Sequence, residues 1–151
     1  MIENLLKEEN CVIVDRVQDW KDAVHVSLER LIEQGYCTEE YEKAVFDSTA
    51  EFGPYYVLTD NMALIHASNK VGVSKTQMAV TVLREPVQFE EDGADVQILI
   101  ALCAVDANAH IDGMATVLKL FGDDDKSEDV LAAGTGKEVF EIFRQYADQE
   151  D

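Results

Sequence analysis

At 151 residues, 47% hydrophobic and 28% charged, the chain has the size and composition of an ordinary globular domain, and its two prolines and eight glycines exclude a fibrous or disordered chain. Asp and Glu number 31 against 12 Lys and Arg, a formal net charge of −19. Nucleic acid and anionic membranes repel such a protein, whereas a basic protein partner is attracted; solubility alone also accounts for an acidic balance.

Residues 2–9 have the pattern of a short helix, followed by a strand at 11–14. Asp19 is a good N-cap for a helix on which Trp20, Ala23, Val24, Leu28, Leu31 and Ile32 share a face, with Gly35 ending it. Thr38 starts a second helix carrying Tyr41, Ala44, Val45 and Phe52, closed by Gly53-Pro54. Short strands are expected at 56–58 and 62–65, separated by the turn-forming Thr59-Asp60-Asn61, and a further strand over 76–83, ending before Pro86. Residues 96–105 are nearly all apolar, as in a central strand covered on both faces. Ile111, Met114, Val117, Leu118 and Phe121 then repeat at helical spacing before Gly122. A short helix over 127–133 and a C-terminal helix marked by Val139, Phe140, Phe143 and Tyr146 complete the chain.

The order of helices, strands and helices predicts an α/β fold: a mixed β-sheet flanked by helices on both faces, a three-layer sandwich forming a single domain over residues 1–151. No stretch approaches the ~20 apolar residues that span a bilayer. The N-terminal segment lacks the basic and apolar regions of a signal peptide. A cytoplasmic protein is expected.

Phosphate-loop, dinucleotide-binding and His-Glu-x-x-His motifs are missing from the sequence, and its serines have no nucleophile-elbow context. Cys11, Cys37 and Cys103 form no Cys-x-x-Cys pair, and Cys103 lies in the apolar run, as a buried free thiol would. The chemistry therefore falls to histidines. His25 lies beside the apolar positions of its helix, a surface placement. His66 ends the run Met62-Ala63-Leu64-Ile65, where a strand leaves the sheet. His110 follows the central strand after Asp106-Ala107-Asn108-Ala109, near a helix start. Strand ends and adjacent helix N-termini are where open sheets place ligands, so the two histidines can converge; the alternative is two unrelated loop histidines. Converging, they could bind a metal with Asp106 or Asp112, act as a general base, or act as a covalent nucleophile. Lys and Arg are absent between Arg84 and Lys119. Donors to a phosphoryl group on an imidazole would therefore be backbone N–H groups, the second histidine or Ser68. Such a site suits reversible phosphoryl storage.

Gly53-Pro54-Tyr55-Tyr56-Val57-Leu58 followed by Met62-Ala63-Leu64-Ile65-His66-Ala67 resembles the active-site segment of enzyme IIA domains of the bacterial sugar phosphotransferase system, in the mannitol/fructose superfamily. The stretch from Ala94 to Leu102 with Asp106-Ala107-Asn108-Ala109-His110-Ile111 is similar to that family's second-histidine segment. Glu51-Phe52-Gly53-Pro54-Tyr55 points to the ascorbate-type branch. The resemblance implies that His66 accepts a phosphoryl group from the histidine-containing phosphocarrier protein and passes it to a cysteine of an enzyme IIB, and through it to a membrane permease for carbohydrate uptake, ascorbate among the candidates. It implies that His110 supports the phosphorylated ring, and that neither a cofactor nor nucleic acid is involved. The chain departs from the family's usual residues at Ile65, where proline precedes the active histidine, at Asp60-Asn61, and at Ser68-Asn69. It departs again at Asp47-Ser48-Thr49-Ala50, where mannitol-type members carry an arginine. A regulatory module of the same fold, whose phosphorylation controls binding to a transcription factor or kinase, and a non-catalytic binding domain are the alternatives.

Overall fold

The computed structural model describes residues 5–58, 61–67, 71–106, 108, 109, 111, 114, 115, 117, 118 and 124–149. Four strands, β1 (Leu6–Val14), β2 (Met62–Ile65), β3 (Gln77–Val87) and β4 (Val96–Cys103), form one sheet in the order β1-β3-β4-β2. β1 pairs parallel with β3, β3 antiparallel with β4, and β2 parallel with β4, so the sheet is mixed. Among the described residues, the helices are α1 (Trp20–Glu33), α2 (Glu39–Phe52), α3 (Asp124–Ala132) and α4 (Gly136–Gln149), and residues 108, 109, 111, 114, 115, 117 and 118 are also helical.

Two cores sandwich the sheet, because successive strand side chains point to opposite faces. Leu99, Ala101 and Cys103 of β4, with Ala63 and Ile65 of β2, face Ala23, Val24, Leu28 and Leu31 of α1 and Tyr41 and Val45 of α2. Ile98, Ile100 and Leu102, with Met62, Leu64, Met78, Val80 and Val82, face Val130, Val139 and Phe143. The nearly continuous apolar run of β4 is thus explained by cover on both faces. Asp19 caps α1, its carboxylate accepting the Asp22 N–H at 2.9 Å, and Gly35 leaves the helix at φ 82°.

Four expectations need correction. Residues 6–9 are strand, not helix. β1 shifts register between Leu6 and Cys11, so Leu6, Asn10 and Cys11 are buried while Lys7, Glu8 and Glu9 are exposed, a pattern a helix would also give. β3 does not stop before Pro86 but runs to Val87; its register on β4 is irregular between Val82 and Val87, where a residue without an N–H costs no rung. Residues 56–58 make only the isolated bridge Val57–Ala63 beside β2. The last short helix begins at Asp124, three residues early. Ile111, Met114, Val117 and Leu118 are helical, and Val117 is fully buried, but Ile111 and Leu118 are 62% and 50% exposed. Phe121 and Gly122 lie outside the described residues.

Candidate functional site

β2 ends at Ile65, and His66 is the first residue beyond it, 6% exposed. Its Nδ1 lies 2.6 Å from the Leu64 carbonyl oxygen. A carbonyl only accepts, so Nδ1 carries the proton and, in the neutral ring, Nε2 carries the lone pair. The ring packs edge-to-face on Tyr55, centroids 5.3 Å apart, and the Tyr55 hydroxyl donates to the His66 carbonyl at 2.6 Å. Tyr55 reaches this position because Gly53, at φ 79°, turns the chain out of α2 and Pro54 follows. Burial raises the Tyr55 phenol above its ordinary value, and Ser48 beside it pulls the other way. Tyr56, fully buried against Phe89, bonds the Thr49 hydroxyl at 2.8 Å and so fixes the 53–56 segment to α2.

β2 and β4 run parallel, with Ile65 opposite Ala101, so both strands leave the sheet at one end. Past β4, the Val105 N–H donates to the Thr76 hydroxyl at 3.1 Å. Asp106 then accepts the Ala109 N–H at 2.8 Å, an N-cap geometry that opens a helical turn at residues 108 and 109. His110 and Asp112 lie outside the described residues. The structure therefore brings the segment leading to His110 to the same sheet end as His66. His25 is elsewhere: exposed on α1, its Nδ1 2.8 Å from Glu42 Oε1, which raises its pKa.

All three cysteines are buried free thiols. Burial pushes Cys11 up to about 12, which suppresses its thiolate. Among the described residues no group of three or more His, Cys, Asp and Glu side chains is placed to hold a metal ion, and no helix is long and apolar enough to cross a membrane. The large hydrophobic side chains exposed among the described residues are Phe52, Tyr55, Val71, Val105, Ile111 and Leu118. Phe52 and Tyr55 precede β2, Val71 follows it, and Val105, Ile111 and Leu118 follow β4; of these Tyr55 packs on His66. A cleft of about 420 Å³ on α2 is lined by Glu40, Lys43, Asp47, Ser48, Glu51 and Val71. Sequence reasoning missed the orienting part played by Tyr55 and the polar bridge made by Tyr41, whose hydroxyl accepts from the Ala67 N–H and donates to the Leu102 carbonyl. Tyr41 sits on an apolar helix face like any core residue, whereas the helix-ending Gly53-Pro54 was a signal that Tyr55 starts a built turn.

Residues 4–146 match the family described as "Phosphoenolpyruvate-dependent sugar phosphotransferase system, EIIA 2". An ascorbate-specific EIIA component from Shigella boydii is 31% identical over 143 residues, covering 93% of both chains. The solution structure of the mannitol-specific cryptic phosphotransferase enzyme IIA of Escherichia coli superposes with TM-score 0.86 at 30% identity, covering 95% of this chain and 98% of that one. The mannitol enzyme IIA of Escherichia coli, solved in complex with phosphorylated enzyme IIB, superposes with TM-score 0.79 at 25% identity, covering 93% and 99%. The chain belongs to the EIIA 2 family and is a phosphoryl-transfer component of a sugar phosphotransferase system.

Proposed function

We propose that, as a member of this family, the chain carries the phosphoryl group on His66 Nε2 in the cytoplasm, taking it from the histidine-containing phosphocarrier protein and giving it to a cysteine of an enzyme IIB component that serves a membrane permease. The observation that carries the assignment is the Nδ1 contact with the Leu64 carbonyl at 2.6 Å. It leaves the Nε2 lone pair as the nucleophile of the neutral ring. Nε2 attacks phosphorus, the carrier's N–P bond breaks with its electron pair returning to the carrier imidazole, and the His66 ring keeps its Nδ1 proton. The phosphorylated ring is then cationic, and the Leu64 carbonyl stabilises its N–H. Attack by the enzyme IIB thiolate breaks the new N–P bond and restores the neutral ring.

His110, reached through the Asp106-capped turn, donates to a phosphoryl oxygen and so assists transfer without bearing the group. The exposed Tyr55 beside His66 and the acidic cleft on α2 favour a protein partner with a basic, partly apolar face. Relatives at near-equal identity are named for ascorbate and for mannitol, so the carbohydrate is set by the enzyme IIB and permease rather than by this chain.

The test is intact-mass measurement after incubation with phosphoenolpyruvate, enzyme I and the phosphocarrier. One acid-labile phosphoryl group should be added, absent in His66→Ala. His110→Ala should still label on His66 but transfer roughly ten- to a hundredfold more slowly, the equivalent of one charge-assisted hydrogen bond of about 1.5–3 kcal/mol. Undiminished labelling of His66→Ala would overturn the assignment.

A further inference from the structure

We propose that Tyr41 is a positioning residue for phosphoryl transfer, its hydroxyl spliced into the β2–β4 ladder at the rung next to His66. The proposal rests on His66 being the phosphoryl carrier. The pairing of Ile65 with Ala101, and the bond from the Ile98 N–H to the Asn61 carbonyl at 3.0 Å, fix both register and hydrogen-bond parity. Continued by one more rung, that parity directs the Ala67 N–H at the Leu102 carbonyl. The structure places the Tyr41 oxygen between them. It accepts from the Ala67 N–H at 3.0 Å and donates to the Leu102 carbonyl at 2.6 Å.

A direct rung would hold N and O about 2.9 Å apart. With a hydroxyl between them, the strands are held apart one residue beyond the ladder, and His66 occupies the flare. The backbone around His66 is then pinned at successive points: Ile65 by the ladder, the His66 carbonyl by Tyr55, and Ala67 by Tyr41. The far side of the same splice is Leu102, four residues before Asp106, so one hydroxyl sets the spacing between the two segments that carry His66 and His110. Tyr41 is 1% exposed, so no water replaces the hydroxyl cheaply. Burial also drives the phenol well above its ordinary range, which keeps it a donor.

The variant is Tyr41→Phe, which keeps the ring and removes the oxygen. The orphaned rung can then close directly, drawing His66 toward β4. At saturating phosphocarrier the transfer rate should fall at least tenfold with KM little changed, and the His66 imidazole 1H–15N resonances of the unphosphorylated protein should move. Val45→Ala, a cavity variant on the same helix face, controls for lost stability. Measured well below both melting points, it should transfer at the wild-type rate with unmoved His66 resonances. Tyr41→Phe with a wild-type rate and unmoved resonances would overturn the proposal. If Tyr41→Phe does not fold, amide exchange in the wild-type protein decides: the Ala67 amide must be as protected as the β2 amides, and rapid exchange there overturns the splice. The resonance readout needs no phosphoryl group. Labelling at a residue other than His66 therefore defeats the functional assignment separately, while the resonances still report on the geometry.

Discussion

Gly136→Ala probes how tightly α4 seats on the edge strand. Gly136 opens α4, with Thr135 capping the Glu138 N–H at 3.2 Å and Glu138 reaching back to the Gly134 N–H at 2.9 Å. A Cβ on residue 136 would lie 1.9 Å from the Cys11 carbonyl oxygen and 2.9 Å from its carbon, more than an ångström short of any tolerated contact with that oxygen. The obstacle is β1 backbone, so α4 itself must withdraw, and with it the fully buried Val139 and the nearly buried Phe143. A radial gap of 0.5–1 Å forfeits roughly a quarter to a half of the dispersion attraction at each contact, and overpacking of this kind costs about 1–3 kcal/mol. The gain of alanine over glycine in a helix is at most ~1 kcal/mol and smaller in the first turn. A net loss of about 2 kcal/mol follows, a fall in Tm of roughly 4–8 °C for a domain of this size. Gly134→Ala is the control: the nearest atoms to its Cβ are the Glu138 carboxylate oxygens at 3.8 Å, ordinary contact, and stability should change by less than about 0.5 kcal/mol. Urea titration and thermal melts of both variants decide. Equal stabilities, or a stabilised Gly136→Ala, would refute close seating of α4 on β1.

At sub-saturating phosphocarrier the second-order transfer rate should fall as salt rises. The chain's charge of −19 and the acidic cleft on α2 steer a basic partner, and salt screens that attraction over about 8 Å at physiological strength; a flat salt dependence in quench-flow measurements would locate the useful charge elsewhere. NMR titration should place His25 above its ordinary 6.5, chiefly through the hydrogen bond it donates to Glu42, and Glu42→Gln should bring it down. A raised folded pKa stabilises below the unfolded value and is lost as pH rises through the folded one. The small stability advantage over His25→Gln should therefore be full below ~6.5 and vanish above the titrated value, small because the ring is 55% exposed.

The parts of the fold legible in the sequence were those whose local pattern and tertiary fate agree. Asp19 and Gly35 bracket α1 because capping chemistry is local. β4 announces itself because cover on both faces demands a nearly continuous apolar run. β1 misleads because its bulge reproduces the four-residue burial spacing of a helix, and only pairing with β3 makes it a strand. Pro86 misleads for the converse reason: the irregular register that tolerates it exists only in the pairing of β3 with β4, where the extra residues of β3, Pro86 among them, leave the ladder. At the site, the end of an apolar strand located His66, but Tyr41 carries no sequence mark that separates a polar bridge from a core ring. Its partners lie 26 and 61 residues away.

A phosphoryl carrier is useful only if it lets go. A guanidinium beside the phosphorylated imidazole would add one or more charge-assisted bonds of about 1.5–3 kcal/mol. Such a bond lowers the stored group's free energy and, where it is lost in the transition state, raises the barrier to onward transfer by the same amount. This chain has Asp47-Ser48-Thr49-Ala50 where mannitol-type members carry arginine, and no Lys or Arg from residue 85 to residue 118. Arg84 is committed elsewhere, to the Leu131 and Ala133 carbonyls. What it supplies at His66 instead is orientation: a carbonyl on Nδ1, an aromatic wall, and backbone held by two tyrosine hydroxyls. These groups hold the same atoms of the histidine before and after phosphorylation, so they favour correct approach of either partner. With His66 as the carrier, these contacts hold the imidazole in position for either partner.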